Sequence, residues 1–318
     1  MSAAGHVVAL CGGVGGAKLA FGLAQILAPD QLTIIVNTGD DFRHLGLHVS
    51  PDIDTVVYTL SGLADRERGW GIGGESWNFI ASLRRLGGED WFQLGDQDLA
   101  MHVERSRRLA AGESLSRITA DLAAKLGVRP AIVPMSDDPV RTFVQTADGE
   151  LEFQRYFVAE RCRPVATGVR FEGADAARPS PGFAHALTRS DVTAVIICPS
   201  NPYLSVDPIL SIPGVRRGLR DLGAPIVAVS PIVGGQAIKG PAAKLMTELG
   251  VTPGVLAVAD HYEGLLDGFV IDETDMADTA ALRARGLATL VTGSVMSSDE
   301  DRVRLARACL TFAEAFRG

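Results

Sequence analysis

The chain has 318 residues, 47% hydrophobic and 21% charged, enough to bury one large α/β domain or a main domain with a smaller insertion. A formal charge of −8 and the absence of any long basic run exclude an extended nucleic-acid footprint. No basic segment followed by a secretory apolar core is present and no apolar run is long enough to span a bilayer, so a cytoplasmic protein without a membrane partner is expected.

In chain order, Val7-Val8-Ala9-Leu10 reads as a short buried strand, and Leu19, Leu23, Ile26 and Leu27 as one face of a helix that stops before Pro29. Between them lies Cys11-Gly12-Gly13-Val14-Gly15-Gly16-Ala17-Lys18. Glycines at such a turn let the backbone approach an anion, and a helix start offers free N–H groups and the positive end of its dipole. Gly12, Gly13, Val14, Gly15, Gly16 and Lys18 are therefore candidates for phosphate binding, against the plainer reading of a turn that binds nothing. The loop is not a P-loop, because Ala17 and Leu19 stand where that motif needs glycine and a hydroxyl. Nor is it a dinucleotide fingerprint: counted from Gly13, Lys18 takes the place of the third glycine, which disfavours a nicotinamide dehydrogenase.

A second strand, Leu32 to Val36, ends in Asn37-Thr38-Gly39-Asp40-Asp41, acids at a strand's carboxyl end where ligands sit in doubly wound sheets. In Ser50-Pro51-Asp52-Ile53-Asp54-Thr55 the acids cap a helix or, behind a phosphate loop, hold Mg²⁺, which favours carboxylate plus phosphate oxygens. Trp70 and Trp77 among glycines read as core or as an aromatic rim over a flat ligand. His102, without a visible partner, reads as structural. Ser114 to Gly127 is a scaffold helix, and Ala131 to Val133 a strand before the acidic loop Ser136-Asp137-Asp138.

Ala147-Asp148-Gly149 turns a β-hairpin, and residues at about 140–185 form an insertion or cap. The α/β rhythm then resumes. Val192 to Cys198 is a strand ending in Pro199-Ser200-Asn201-Pro202, where Ser200 and Asn201 suit a base or ribose. Pro225 to Val229 follows, then Lys239 and Lys244 near a glycine turn, where they would balance diphosphate charge. Short strands are expected at Val255 to Val258, Gly268 to Ile271 and Ala288 to Val291, and a closing helix from Asp299. The pattern predicts an α/β, Rossmann-like three-layer sandwich with a mainly parallel sheet, one domain over 1–318 carrying a smaller α+β insertion. Cys11, Cys162, Cys198 and Cys309 have neither zinc nor disulfide spacing and read as reduced, mostly buried thiols.

Taken together and in order, the glycine loop, Asn37 to Asp41, Ser50 to Thr55, Gly69-Trp70-Gly71, Leu94-Gly95-Asp96, Pro134 to Asp138, Pro199 to Pro202 and Ser230-Pro231-Ile232 resemble the 2-phospho-L-lactate transferases of coenzyme F-420 biosynthesis. The resemblance implies a Mg²⁺-dependent transfer. A guanosine diphosphate-linked three-carbon acid gives its phosphoryl-acid portion to the terminal ribityl hydroxyl of the deazaflavin Fo, releasing GMP. It implies catalytic and metal roles for Asp40 and Asp54, with Asp54 also near Fo, and a homodimer. On the Fo side we place Trp77, Asn78 and Asp96. Gln97 stands where many members carry arginine, which leaves phospholactate, phosphoenolpyruvate and phosphoglycerate open as the acid. Relatives resembling the UDP-sugar-binding gluconeogenesis factors share the glycine loop and act as regulators, which supplies the alternative reading.

Overall fold

The run His6–Cys11 (β1) is buried along its whole length, and a strand apolar on both faces belongs in the middle of a covered sheet. A computed structural model, which describes residues 5–317, places it there. Beside it lie β2 (Leu32–Val36) and β3 (Ala131–Pro134) in one direction. In the other lie β4 (Val192–Ile197), β5 (Ile226–Val229), β6 (Gly268–Ile271) and β7 (Ala288–Val291). All seven are parallel, in the order β7-β6-β5-β4-β1-β2-β3. Alternate residues of β1 feed different cores: Val8 and Leu10 pack with Phe183, Ile209 and Leu219, while Val7 and Ala9 pack with Leu19, Leu23 and Leu305. Helices cover both faces, giving the expected three-layer sandwich.

Helix α1 (Gly13–Ile26) follows the glycine turn and crosses the closing helix Asp299–Glu314 closely. A Cβ at Gly22 would stand 2.1 Å from the carbonyl oxygen of Arg302, so only glycine permits that approach. Helix α2 (Pro51–Ser61) lies beside α1; α3 (Asn78–Arg85), α4 (Asp96–Ala110) and α5 (Leu115–Lys125) complete the first half. Among the described residues no helix is long and apolar enough to cross a membrane, and all four cysteines are free.

Three antiparallel strands, Arg141–Thr146, Gly149–Glu152 and Ala166–Glu172, form a sheet separate from the main one. The Asp148-Gly149 turn joins the first two, with Gly149 at φ 123°. Val144, Phe153, Tyr156 and Ala166 make a small core there together with Leu204. By Phe183 the chain is already back in the main core, so this separate unit ends short of residue 185. One expected strand is a helix: Val255–His261 is helical, because Val255, Val258 and Ala259 recur at i, i+3, i+4 and bury a single face.

Candidate active site

In an open parallel sheet the crevice forms where successive connections leave in opposite directions, here between β1 and β4. A cleft of about 670 Å³ opens there. The glycine loop forms its floor. Gly13 sits at φ 63°, in the left-handed region, and starts the helix without a side-chain cap. The N–H of Gly12 donates to Ser200 Oγ at 3.0 Å, and that hydroxyl donates back to Gly12 O at 2.8 Å. The N–H of Gly13 donates to Asp52 Oδ1 at 2.6 Å. Val14 and Gly15 line the cleft, and their N–H groups lie in the first turn of α1, where no intrahelical acceptor exists.

Tight packing explains the remaining glycines. A Cβ on Gly15 would stand 2.4 Å from Pro199 O, and one on Gly16 would stand 2.4 Å from Ser200 Oγ. Gly15→Ala is therefore expected to push the two loops apart and weaken binding of a nucleoside diphosphate about five-fold or more, since overpacking costs roughly 1–3 kcal/mol. Titration calorimetry with GDP checks it; unchanged affinity would show that the two loops are not one cradle. Asn201 Oδ1 accepts from the N–H groups of Tyr203 and Leu204, while its Nδ2 is buried without a partner beside the cleft. Lys18 Nζ donates to Met296 O at 2.7 Å; burial, then the Arg302 and Lys239 charges, lower its pKa. Lys239 also lines the cleft, whereas Lys244 turns away to Glu248 and Tyr156.

Two carboxylates meet beside the cradle. Asn37 Nδ2 donates to Asp52 Oδ2 at 2.9 Å and to Asp40 Oδ1 at 3.3 Å, so a single amide group holds both acids. Gln154 Nε2 donates to Asp40 Oδ2 at 3.1 Å from the separate unit. Burial, then the charges of Asp52 and Asp41, push the Asp40 carboxyl well above the ordinary range. Burial lifts Asp52 to about 6 against the lowering effect of its bonds from Asn37 and Gly13. Asp41 faces elsewhere, accepting from Ser50 Oγ at 2.8 Å and pairing with His48 Nε2 at 2.9 Å.

Of the two acids expected to act together, Asp40 lines the cleft and Asp54 does not; the acid joined to Asp40 through the Asn37 amide is Asp52. Both oxygens of Asp54 are taken by the buried guanidinium of Arg105, on α4, with His102 Nδ1 at 3.6 Å. Trp77, Asn78 and Asp96 also lie outside the cleft lining. Asp96 binds the start of α3, accepting from Ser76 Oγ at 2.6 Å and from the N–H groups of Phe79 and Asn78, and these bonds, led by the Ser76 hydroxyl, lower its pKa to about 2. Asn78 Nδ2 joins the same carboxylate at 3.1 Å. Trp77 packs edge-on to Trp70, with Arg68 over both rings; of the two tryptophans, Trp70 reaches the cleft. Gln97 sits outside the lining as well, its N–H on Glu75.

A doubly wound, Rossmann-like α/β protein with a glycine-lined, acid-bearing cleft at its topological switch point is the class these features define. The chain belongs to the family described as 2-phospho-L-lactate transferase CofD, whose model matches residues 7–306. It is 40% identical over 319 residues to a phosphoenolpyruvate transferase of Kitasatospora aureofaciens, covering 98% of this chain and 99% of that one. It is 39% identical over 300 residues to a 2-phospho-L-lactate transferase of Methanosarcina mazei, covering 94% and 98% respectively. A crystal structure of a UPF0052-family protein from Bacillus halodurans superposes with a TM-score of 0.64 at 16% identity over 96% of this chain and 98% of that one, a likeness of fold alone.

Proposed function

We propose that the protein moves a phosphoryl-linked three-carbon acid from its guanosine diphosphate-activated form to the terminal ribityl hydroxyl of the deazaflavin Fo, releasing GMP, in coenzyme F-420 biosynthesis. Relatives named for 2-phospho-L-lactate and for phosphoenolpyruvate support this class of donor. The observation that carries the reading is the carboxylate pair on one amide, directly beside a glycine cradle.

The acceptor oxygen attacks the phosphorus that bears the acid, the bond from that phosphorus to the bridging oxygen breaks, and GMP leaves with the bond's electron pair. Such transfers need positioning and charge neutralisation more than a covalent enzyme intermediate. The free N–H groups of Val14 and Gly15 and the α1 dipole receive the diphosphate. Asn201 Nδ2, a buried donor without a partner, serves the nucleoside side, with Ser200 fixing the loop. Asp40 in its ionised form, which burial and the neighbouring acids make a stronger base than an ordinary carboxylate, accepts the proton of the attacking hydroxyl.

The residues present fit a divalent cation. Asp52 takes an N–H of the cradle itself, and the Asp40 carboxyl, which burial and the neighbouring acids make costly to ionise without a cation, shares the Asn37 amide with it. Asp40 and Asp52 would hold Mg²⁺, which supplies neutralisation of the phosphate charge when bound. Incubation with Fo, Mg²⁺ and each guanylated acid in turn is expected to yield a phosphodiester of Fo and one GMP per product, and EDTA is expected to abolish it. Tight UDP-sugar binding with no product from any donor would overturn the reading in favour of a regulatory protein.

A further inference from the structure

Among the described residues three cations line the cleft: Lys18, Arg68 and Lys239. Two of them are committed. Lys18 Nζ donates to Met296 O, while the Arg68 guanidinium donates to Ile72 O, pairs with Asp65 at 2.9 Å and covers the rings of Trp70 and Trp77. Lys239 makes neither an ion pair nor a side-chain hydrogen bond with any described residue. Its ammonium lies against the loop that carries Trp70: a Cβ on Gly69 would stand 2.1 Å from Nζ, so the head occupies a space that glycine leaves. Gly69 itself turns at φ 76°, where glycine is favoured in any case.

The donor of the transfer has two anionic parts, a diphosphate and the carboxylate of its three-carbon acid. The diphosphate has the N–H groups of Val14 and Gly15, the α1 dipole and the cation that Asp40 and Asp52 would hold. The carboxylate has none of these. Gln97, which stands where many family members carry arginine, lies outside the lining. Two hydroxyls of the lining are also spent, since Ser230 Oγ donates to Ile232 O and Ser294 Oγ to Asp272. The place of Lys239 suits the unmet charge. Lys18 stands one helical turn after Val14, and burial, then the Arg302 charge, then that of Lys239 lower its pKa, so the two ammoniums lie within electrostatic reach at the diphosphate end.

From this arrangement we infer that Lys239 reads the carboxylate of the transferred acid: its ammonium, seated over Gly69, donates to a carboxylate oxygen while the glycine cradle holds the diphosphate of the same donor. The inference rests on the transferase reading and deepens it. Phospholactate, phosphoenolpyruvate and phosphoglycerate all carry that carboxylate, so Lys239 selects the class of acid against esters that lack the charge. It is a specificity residue, and no bond to it forms or breaks in the transfer.

Donor binding to the full-length protein, measured by calorimetry with Mg²⁺ and without Fo so that no transfer occurs, tests it. The two probes are guanylated phospholactate and the isopropyl ester of GDP, which keeps the branched carbon and carries a methyl group in place of the carboxylate. The wild-type protein is expected to prefer the first about ten-fold, the scale of one hydrogen bond to a charged group. In Lys239→Met both probes are expected to bind alike, at the wild-type affinity for the isopropyl ester, and Lys239→Arg should keep most of the preference because it keeps the charge. Lys239 is exposed, so the melting temperature should not move, and GDP affinity is expected to stay at the wild-type value. An undiminished preference in Lys239→Met overturns the inference, and so does an equal loss of GDP affinity, which would place the ammonium on the diphosphate. Either result leaves transfer by the wild-type protein standing. A wild-type protein that binds neither ester and makes no product takes down the transferase reading and the inference together.

Discussion

Asp52→Asn is expected to lower kcat by on the order of 10²–10³-fold, the scale seen when one preorganised charge-handling group is removed from a site of this kind. The side chain keeps its size and loses its charge, so the change isolates electrostatics. Ionised Asp52 accepts from the Gly13 N–H and from Asn37 Nδ2 at once. An amide presents one acceptor, so one of those donors is left facing an NH₂ group. Stability should move the other way from activity. Because the Asp52 carboxyl is raised to about 6 from an ordinary 3.8, the native state holds its proton more tightly than the unfolded chain does. Its stabilising contribution is complete below pH ~3.8 and is lost as the pH rises through about 6. The ligand-free wild-type protein should therefore lose thermal stability from this group across that window, and Asp52→Asn should not. Melting curves at pH 4.5 and 7.5, run beside steady-state kinetics, check both halves; turnover within a few-fold of wild type would remove Asp52 from the chemistry.

How much of this could be read from the letters differs from residue to residue. The glycine loop and its strand and helix are local features, so their sequence pattern is sufficient, and the parallel order follows from alternating strand and helix signals. The choice between Asp52 and Asp54 is not local. Two residues apart on a helix they point about 200° apart, so one of them faces the cleft, and which one is decided by Arg105, 51 positions further on. A signal existed: Asp98, His102 and Arg105 recur at helical spacing on one side of α4, and all three are buried. A run of charges on the inward face of a helix announces a buried partner. Trp77, Asn78 and Asp96 carried no such mark, because the bond of Asp96 to the start of α3 is a tertiary contact between ordinary capping groups. Gln154 was invisible for the same reason, its partner Asp40 lying 114 residues earlier.

Asp54→Leu, by contrast, is expected to act on the fold. Arg105 is 2% exposed and Asp54 4%, and the two meet through both terminal guanidinium nitrogens. His102 and Asp98 line the same pocket, and Tyr58 Oη donates to Asp98 at 2.6 Å. Removing the Asp54 carboxylate strands a guanidinium in the interior, a change that costs about 3–5 kcal/mol where it has been measured. Against a typical total of about 5–15 kcal/mol, that is a large share. Urea denaturation should show a strongly lowered midpoint, with the molecules that remain folded still turning over. A second substitution separates structure from chemistry. Arg105→Met in the Asp54→Leu background replaces the buried pair by apolar side chains and should restore most of the lost stability, because the penalty lies in the unpaired charge and not in the missing bond. If Asp54→Leu keeps the wild-type midpoint and loses turnover, Asp54 acts on the substrates and the buried pairing with Arg105 gives way when they bind; a recovered midpoint with recovered turnover in the double variant leaves the chemistry to Asp40 and Asp52.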